Sequence, residues 1–310
     1  MHEITSTRNN HLIDPSLHIW GWEIPVYLFL GGMVAGMMII TGYFLFKQRQ
    51  DDETCSCRYV PWVSLILLSL GMLALFLDLE HKLYTWRLYT TFQVTSPMSW
   101  GAWILIIVYP AIFVTILITP TKWLVEKLPV VKKYSYWLNE RKMWIKNIGV
   151  ANMILGAMLG MYTGILLSSL GARPLWNTSI LWLLFLVSGL SGAAAFVHMV
   201  AKNVYERELL AKADNGFLTF ELFVIGLMII GLLTSTQVHQ DAAMLILTGP
   251  YAATFWVFVV GIGIVIPLII QLMAVNHKVN HTPWAPIMVI VGGLILRFVI
   301  VEAGQVSKWF

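Results

Sequence analysis

The sequence is short of charge. Only 12% of its 310 residues are Asp, Glu, Lys or Arg, against 58% that are hydrophobic, and the mean hydropathy is +0.75. Soluble domains carry about 25% charged residues, so this chain needs a solvent other than water, and a soluble enzyme is excluded. Cysteine is scarce as well: the two present, Cys55 and Cys57, share one polar stretch. A lone Cys-x-Cys cannot supply the four ligands of a zinc or iron–sulfur site, so the pair reads as ordinary reduced thiols and no metal is expected in this chain. None of the eight histidines lies at the centre of an apolar run. A membrane cytochrome b needs paired axial histidines on facing helices, so haem is not expected. P-loop, dinucleotide-fingerprint and EF-hand patterns are missing, as is the arginine run of a voltage sensor. Residues 1–20 are polar, without the basic start, apolar core and small-residue cleavage site of a signal peptide.

What the chain does have is long apolar runs. A spanning helix takes about 20 apolar residues to cross about 30 Å of hydrocarbon. Such runs fall at 22–46, 60–79, 98–120, 147–170, 178–201, 217–238, 251–275 and 285–304. The expected fold is therefore an all-α integral membrane protein of eight transmembrane helices. Likenesses between LFLGGMVAG (28–36) and LFLVSGLSG (184–192), and between SPMSWGAW (96–103) and GPYAATFW (249–256), suggest two four-helix bundles: an N-terminal segment 1–21, a first bundle 22–170 and a second 171–310. Gly32 with Gly36, and Gly156 with Gly160 and Gly164, have the small-xxx-small spacing of close helix contacts.

Charge sets the orientation. Fourteen Lys and Arg residues follow spans one, three, five and seven, and five lie on the opposite side. Basic loops face the cytoplasm, so both termini are expected in the periplasm of a bacterial inner membrane. The net charge of +4 follows from these loops and is not read as a nucleic-acid signal.

Ionisable groups at membrane depth are costly and mark functional sites. One set gathers at the outer ends of spans one to four: His18, Trp22 and Glu23; Asp78; Ser99 and Trp100; Tyr162, Thr163 and, after span four, Arg173. Water-facing residues at helix ends give the same pattern, although Glu23, Asp78 and Tyr162 stand inside otherwise apolar runs. A second set lies on the cytoplasmic side or deeper. Glu221 sits about one turn into span six, His198 near the end of span five, and Arg297 mid-span in GGLILRFVI, where it needs a carboxylate, carbonyls or water. These three are the candidates for a proton path from the cytoplasm, although interfacial residues wetted by the loop between Glu221 and His198 give the same pattern.

WEIPVYLFLGGMVAG (22–36), the stretch from Asp78 to SPMSWGAW (78–103), YTGILLSS (162–169), PLWNTSILWLLFLVSGLSG (174–192) and GGLILRFVIVEAGQ (292–305) together resemble NrfD-type subunits, the family that includes the membrane subunit of polysulfide reductase. The likeness runs in order over most of the chain. It implies an eight-helix, haem-free membrane anchor that binds menaquinone or ubiquinone among membrane lipid. The partners implied are a periplasmic ferredoxin-like iron–sulfur subunit and a molybdopterin or cytochrome c subunit beyond it. By this resemblance Tyr162 matches the family's span-four tyrosine, and His18, Glu23 and Asp78 fall in its quinone pocket. The reading of the residues themselves makes Glu23 or His18 the proton acceptor with Asp78 second in line, sets the Tyr162 hydroxyl on the opposite oxygen and Trp22 and Trp100 as walls, and leaves Ser99, Thr163 and Arg173 in the same cluster around the quinone. The sequence departs from the family after span two, reading DLEHKLYTW where relatives have a DLGRP-like stretch. A secondary transporter is the competing expectation, with helices broken at Gly31–Gly32 and Gly292–Gly293 around a midplane site. A third is a structural anchor with no bound cofactor.

Overall fold

A computed structural model describes residues 20–275 and 283–309. Twelve α-helices appear among them, of which α1 (Glu23–Phe46), α2 (Val60–Asp78), α4 (Pro97–Ile118), α7 (Lys142–Ser168), α8 (Leu181–Val200), α9 (Val204–Leu233) and α12 (Trp284–Val306) are long and apolar enough to span a membrane. The eighth span, Thr254–Val275, is a π-helical segment, Thr254–Val265, running into α11 (Ile266–Val275). Shorter helices fill the connections: α3 (Trp86–Thr90), α5 (Lys122–Lys127), α6 (Pro129–Asn139) and α10 (Gln237–Leu247). The protein is a multi-pass helical membrane protein, as its composition requires.

Helix α1 lies at the centre. Its most apolar window is 78% buried, against 33% for that of α2, and it packs on α2, α7, α8 and α12. These contacts run across residue 170 as well as within each half. Leu70, Leu73 and Leu77 of α2 stay exposed on its outward face, as apolar residues do where lipid is the solvent. Close approach depends on glycine at two seams. A Cβ on Gly36 would stand 2.6 Å from the Gly189 carbonyl oxygen of α8, and one on Gly156 of α7 would stand 2.6 Å from the Ala35 carbonyl oxygen. The two similar segments, 28–36 and 184–192, are thus packed on each other.

Three expectations need correction. Span six starts at Val204, not at 217, because the polar stretch YERELLAKADNG continues the helix backwards to Asn203. The Asn203 side chain accepts a hydrogen bond from the Tyr205 amide, as an N-cap does. The charged breaks after spans two and three are not plain loops, since they fold as α3, α5 and α6. Cys55 and Cys57 are joined in a disulfide rather than standing as thiols. The tight turn at Ser56–Arg58 holds their Cα atoms 5.2 Å apart, within disulfide reach.

The bundle has two ends. The Glu23 end carries the start of α1, the end of α2, the start of α4 and the end of α7. The Phe46 end carries the opposite termini, α5 and α6.

Candidate functional site

At the Glu23 end a cavity of about 120 Å³ opens between α1, α2, α3, α4 and α7. Its wall is mostly apolar, with Ile24, Met72, Leu75, Leu105 and Leu166 among it, and its polar members are Asp78, Tyr27, Tyr89 and Tyr162. Pockets for drug-sized ligands run about 300–1,000 Å³, so this one suits a compact ring system rather than a long molecule.

Each polar side chain is placed by its helix. Tyr27 lies four residues after Glu23, so it shares the inward face of α1, and it is buried. Tyr162 is buried on α7, and its phenol neighbours that of Tyr27. The Tyr162 ring rests on Gly101 of α4, where a Cβ would collide with the phenol. Asp78, the last residue of α2, is half-buried and has the Glu23 carboxylate as its electrostatic neighbour. Tyr89 closes the site from α3. Burial first, then Tyr109, raises its pKa above the ordinary phenol value, so it stays a hydrogen-bond donor at neutral pH. Trp20 completes the rim and stacks on Trp176 with ring centroids 5.3 Å apart.

The structure brings Asp78 and Tyr162 to one cavity and stands Glu23 beside Asp78, off the cavity wall. The other expected contacts are engaged elsewhere. Trp22 and Trp100 are exposed, and the Trp100 Nε1 donates to the Val94 carbonyl at 2.7 Å. Ser99 Oγ accepts from the Gln93 amide at 3.0 Å and braces the turn before α4. Thr163 Oγ1 donates to the Gly160 carbonyl at 2.7 Å. Arg173 donates through Nη1 to the Ser307 carbonyl at 2.8 Å, tying the α7–α8 connection to the end of α12. None of these five lines the cavity, and His18 lies outside the described residues. Sequence reasoning missed Tyr27, Tyr89 and Trp20. The Glu23–Tyr27 spacing could have found the first.

The second set meets deeper in the bundle. Arg297 is 1% exposed. Its Nη2 donates to the Phe185 carbonyl at 2.9 Å, its guanidinium lies 4.3 Å from the Phe185 ring centroid, and Glu221 is its charged neighbour. Glu221 has Ser188 as a polar neighbour and is 17 residues into α9, about 25 Å from its start. This corrects the expectation of one turn: the helix begins 13 residues earlier. His198 is buried on α8, ten residues from Ser188 or about 15 Å along the axis.

Fold and site define a polytopic helical membrane protein that sets one acid and three phenols around an apolar cavity at one end of its bundle. The model of the polysulphide reductase, NrfD family matches residues 10–307, and the chain belongs to that family, whose members are membrane subunits of oxidoreductase complexes. It is similar to a polysulfide reductase component of Wolinella succinogenes, 28% identical with 93% of this chain and 94% of the relative covered. It is also similar to protein NrfD of Escherichia coli strain K12, 28% identical over 93% and 96%, and to a selenate reductase component of Mesobacillus selenatarsenatis, 23% identical over 94% and 75%.

Proposed function

We propose that the chain is the quinol/quinone-interacting membrane subunit of a respiratory oxidoreductase. It exchanges electrons between membrane quinol, as menaquinone or ubiquinone, and a periplasmic ferredoxin-like iron–sulfur subunit, with a molybdopterin or cytochrome c subunit beyond. The observation that carries this reading is the juxtaposition of Asp78 with Tyr27, Tyr89 and Tyr162 on one ring-sized apolar cavity. Oxidising a quinol releases two electrons and two protons, so the site needs an acceptor near one ring oxygen and a hydrogen-bonding group near the other. One proton passes to Asp78 and by way of Glu23 to water, and the second leaves the opposite oxygen through the Tyr162 and Tyr27 phenols, each giving up its own hydroxyl proton toward water as it takes the next. The electrons leave to the partner's nearest cluster. With the flow reversed, the same groups return the protons.

Orientation follows from the basic loops, with the Glu23 end and both termini periplasmic and the Phe46 end in the cytoplasm of a bacterium. Residues 22–170 hold the quinol site, and residues 171–310 pack on them through α8 and α12. His198, Glu221 and Arg297 lie on a proton path from the Phe46 end. The transporter reading loses support because α1 and α12 run unbroken through Gly31–Gly32 and Gly292–Gly293.

Two measurements test this reading. Reporter fusions after Lys133 and after Phe310 are expected to report cytoplasm and periplasm respectively. A cytoplasmic C-terminus would put the cavity on the wrong side for a periplasmic partner. Tyr162→Phe removes one hydroxyl and is expected to cost about 1 kcal/mol of quinol binding, or about fivefold in KM. It is read as quinol-dependent reduction of the partner's clusters in assembled complex. An unchanged KM would remove Tyr162 from the quinol contacts.

A further inference from the structure

The Phe46 end holds a second cavity, larger than the one at the Glu23 end. It measures about 450 Å³ and lies between the α1–α2 connection and helices α5 and α6. Ile118, the last residue of α4, and Pro120 beyond it supply part of the apolar wall. The cavity therefore stands where a spanning helix leaves the hydrocarbon. Trp123 on α5, Trp137 on α6 and Trp144 at the start of α7 are exposed around it, and indoles gather at the level of lipid headgroups. At its edge Lys122 Nζ lies 3.0 Å from Glu53 Oε2, with both side chains exposed.

The polar wall is rich in acceptors. Gln50 is 4% exposed, and its Oε1 is buried without a partner. Asn139 Oδ1 is also buried without a partner, and its amide has one workable orientation. Its Nδ2 donates to the Ile118 carbonyl at 3.0 Å and to Ser135 Oγ at 3.2 Å, so turning it over would set oxygen against the carbonyl oxygen. Arg58 Nε is the one orphaned donor on this wall among the described residues. Polar groups left unpaired in this way are costly, and together they describe what is missing. Asp51, Glu53 and Glu126 stand against Arg58 and Lys122 on the wall, which leaves one negative charge over. Water does not neutralise it, and a cation does. Among the described residues no three His, Cys, Asp or Glu side chains converge as a metal site requires, and a bare ion would leave Arg58 Nε unmet. A primary ammonium supplies three N–H donors, and a phosphate joined to it meets the guanidinium. A phosphoethanolamine group carries both.

We propose that this cavity binds the headgroup of phosphatidylethanolamine from the leaflet at the Phe46 end. The ammonium sits on Gln50 Oε1, Asn139 Oδ1 and the Asp51 and Glu126 carboxylates, and the phosphate on Arg58. The lipid thereby ties α5 and α6 to the α1–α2 connection. The site is independent of the quinol reading and holds whichever side of the membrane this end faces. The test is native mass spectrometry of the whole chain, titrated with phosphatidylethanolamine, phosphatidylcholine and phosphatidylglycerol of identical acyl chains. Choline keeps the charge and the phosphate but has no N–H, and glycerol has no charge, so both lipids are expected to bind about tenfold more weakly. Gln50→Leu should weaken phosphatidylethanolamine by about tenfold and leave the other two unchanged. Glu126→Gln, at an exposed position where folding is not at stake, should shift it in the same direction. Gln50→Glu keeps the oxygen and should bind as tightly as wild type, which controls for the fold around position 50. Equal binding of the three lipids, or a preference for phosphatidylethanolamine untouched by both Gln50→Leu and Glu126→Gln, overturns the proposal. Displacement of the lipid by an equal concentration of glycerophosphoethanolamine also overturns it, because the ligand would then be a soluble headgroup.

Discussion

Asp78→Asn complexes are expected to assemble normally and to oxidise quinol about 10²–10⁴ times more slowly, the usual loss when a general base is removed. Asparagine keeps the shape of the side chain and an oxygen that accepts a hydrogen bond, so quinol still binds and KM changes little. What disappears is the proton acceptor on the cavity wall. Asp78 is half-buried at the end of α2, which leaves its backbone placement independent of the charge. Glu23→Gln should cost less, since Glu23 stands beside Asp78 and off the wall. The measurement is quinol-dependent reduction of the partner's clusters, with assembly checked separately. A normal rate in both variants would mean that protons leave the quinol by another route.

Gly101→Ala is the second large effect. In a helix, alanine is favoured over glycine by about 1 kcal/mol, so α4 itself gains. The added methyl, however, falls within the Tyr162 phenol, and either that ring or α4 must move. Overpacking of this kind costs about 1–3 kcal/mol of stability. The functional loss should be larger, because a reacting group misplaced by about 1 Å costs about 10²-fold in rate. Gly226→Ala in α9 is the control: a Cβ there meets nothing within 4 Å, so the rate should match wild type and stability should rise by up to about 1 kcal/mol. Thermal unfolding with turnover on the same preparations separates the two contributions. If Gly101→Ala turns over at the wild-type rate, Tyr162 is not held where the quinol sits.

The spans were legible because each must be apolar for about 20 residues, and a run of that length is hard to disguise. The level of a residue in the membrane was legible for the same reason, which is how Asp78 and Tyr162 came to be grouped before any contact was known. Direction around the helix axis was not. A helix that is apolar on all sides has no polar face to read, so Trp22 and Glu23, neighbours in sequence and about 100° apart on α1, looked equally suited to the cavity. Trp22 faces outward, and Tyr27, one turn on from Glu23, lines the wall. Trp100 looked like a wall residue for the same reason, and its indole serves the turn at Val94 instead. Tyr89 was hidden in a charged stretch that reads as loop and folds as α3. The buried carboxylate of Asp214 was hidden likewise, since AKADNG carries the polar composition of a connection while its backbone continues α9 inward. In both cases tertiary burial overrides a local polar signal.

A photoactivatable quinone bound to the purified protein tests the central claim most directly, with the labelled residues identified after proteolysis. The account predicts label on α1, α2, α4 and α7 around Tyr27, Asp78, Leu105 and Tyr162. That label should be displaced by unlabelled menaquinone or ubiquinone and greatly reduced in Gly101→Ala. Displaceable label on α8 and α12 around Phe185 and Arg297, undiminished in Gly101→Ala, would contradict it.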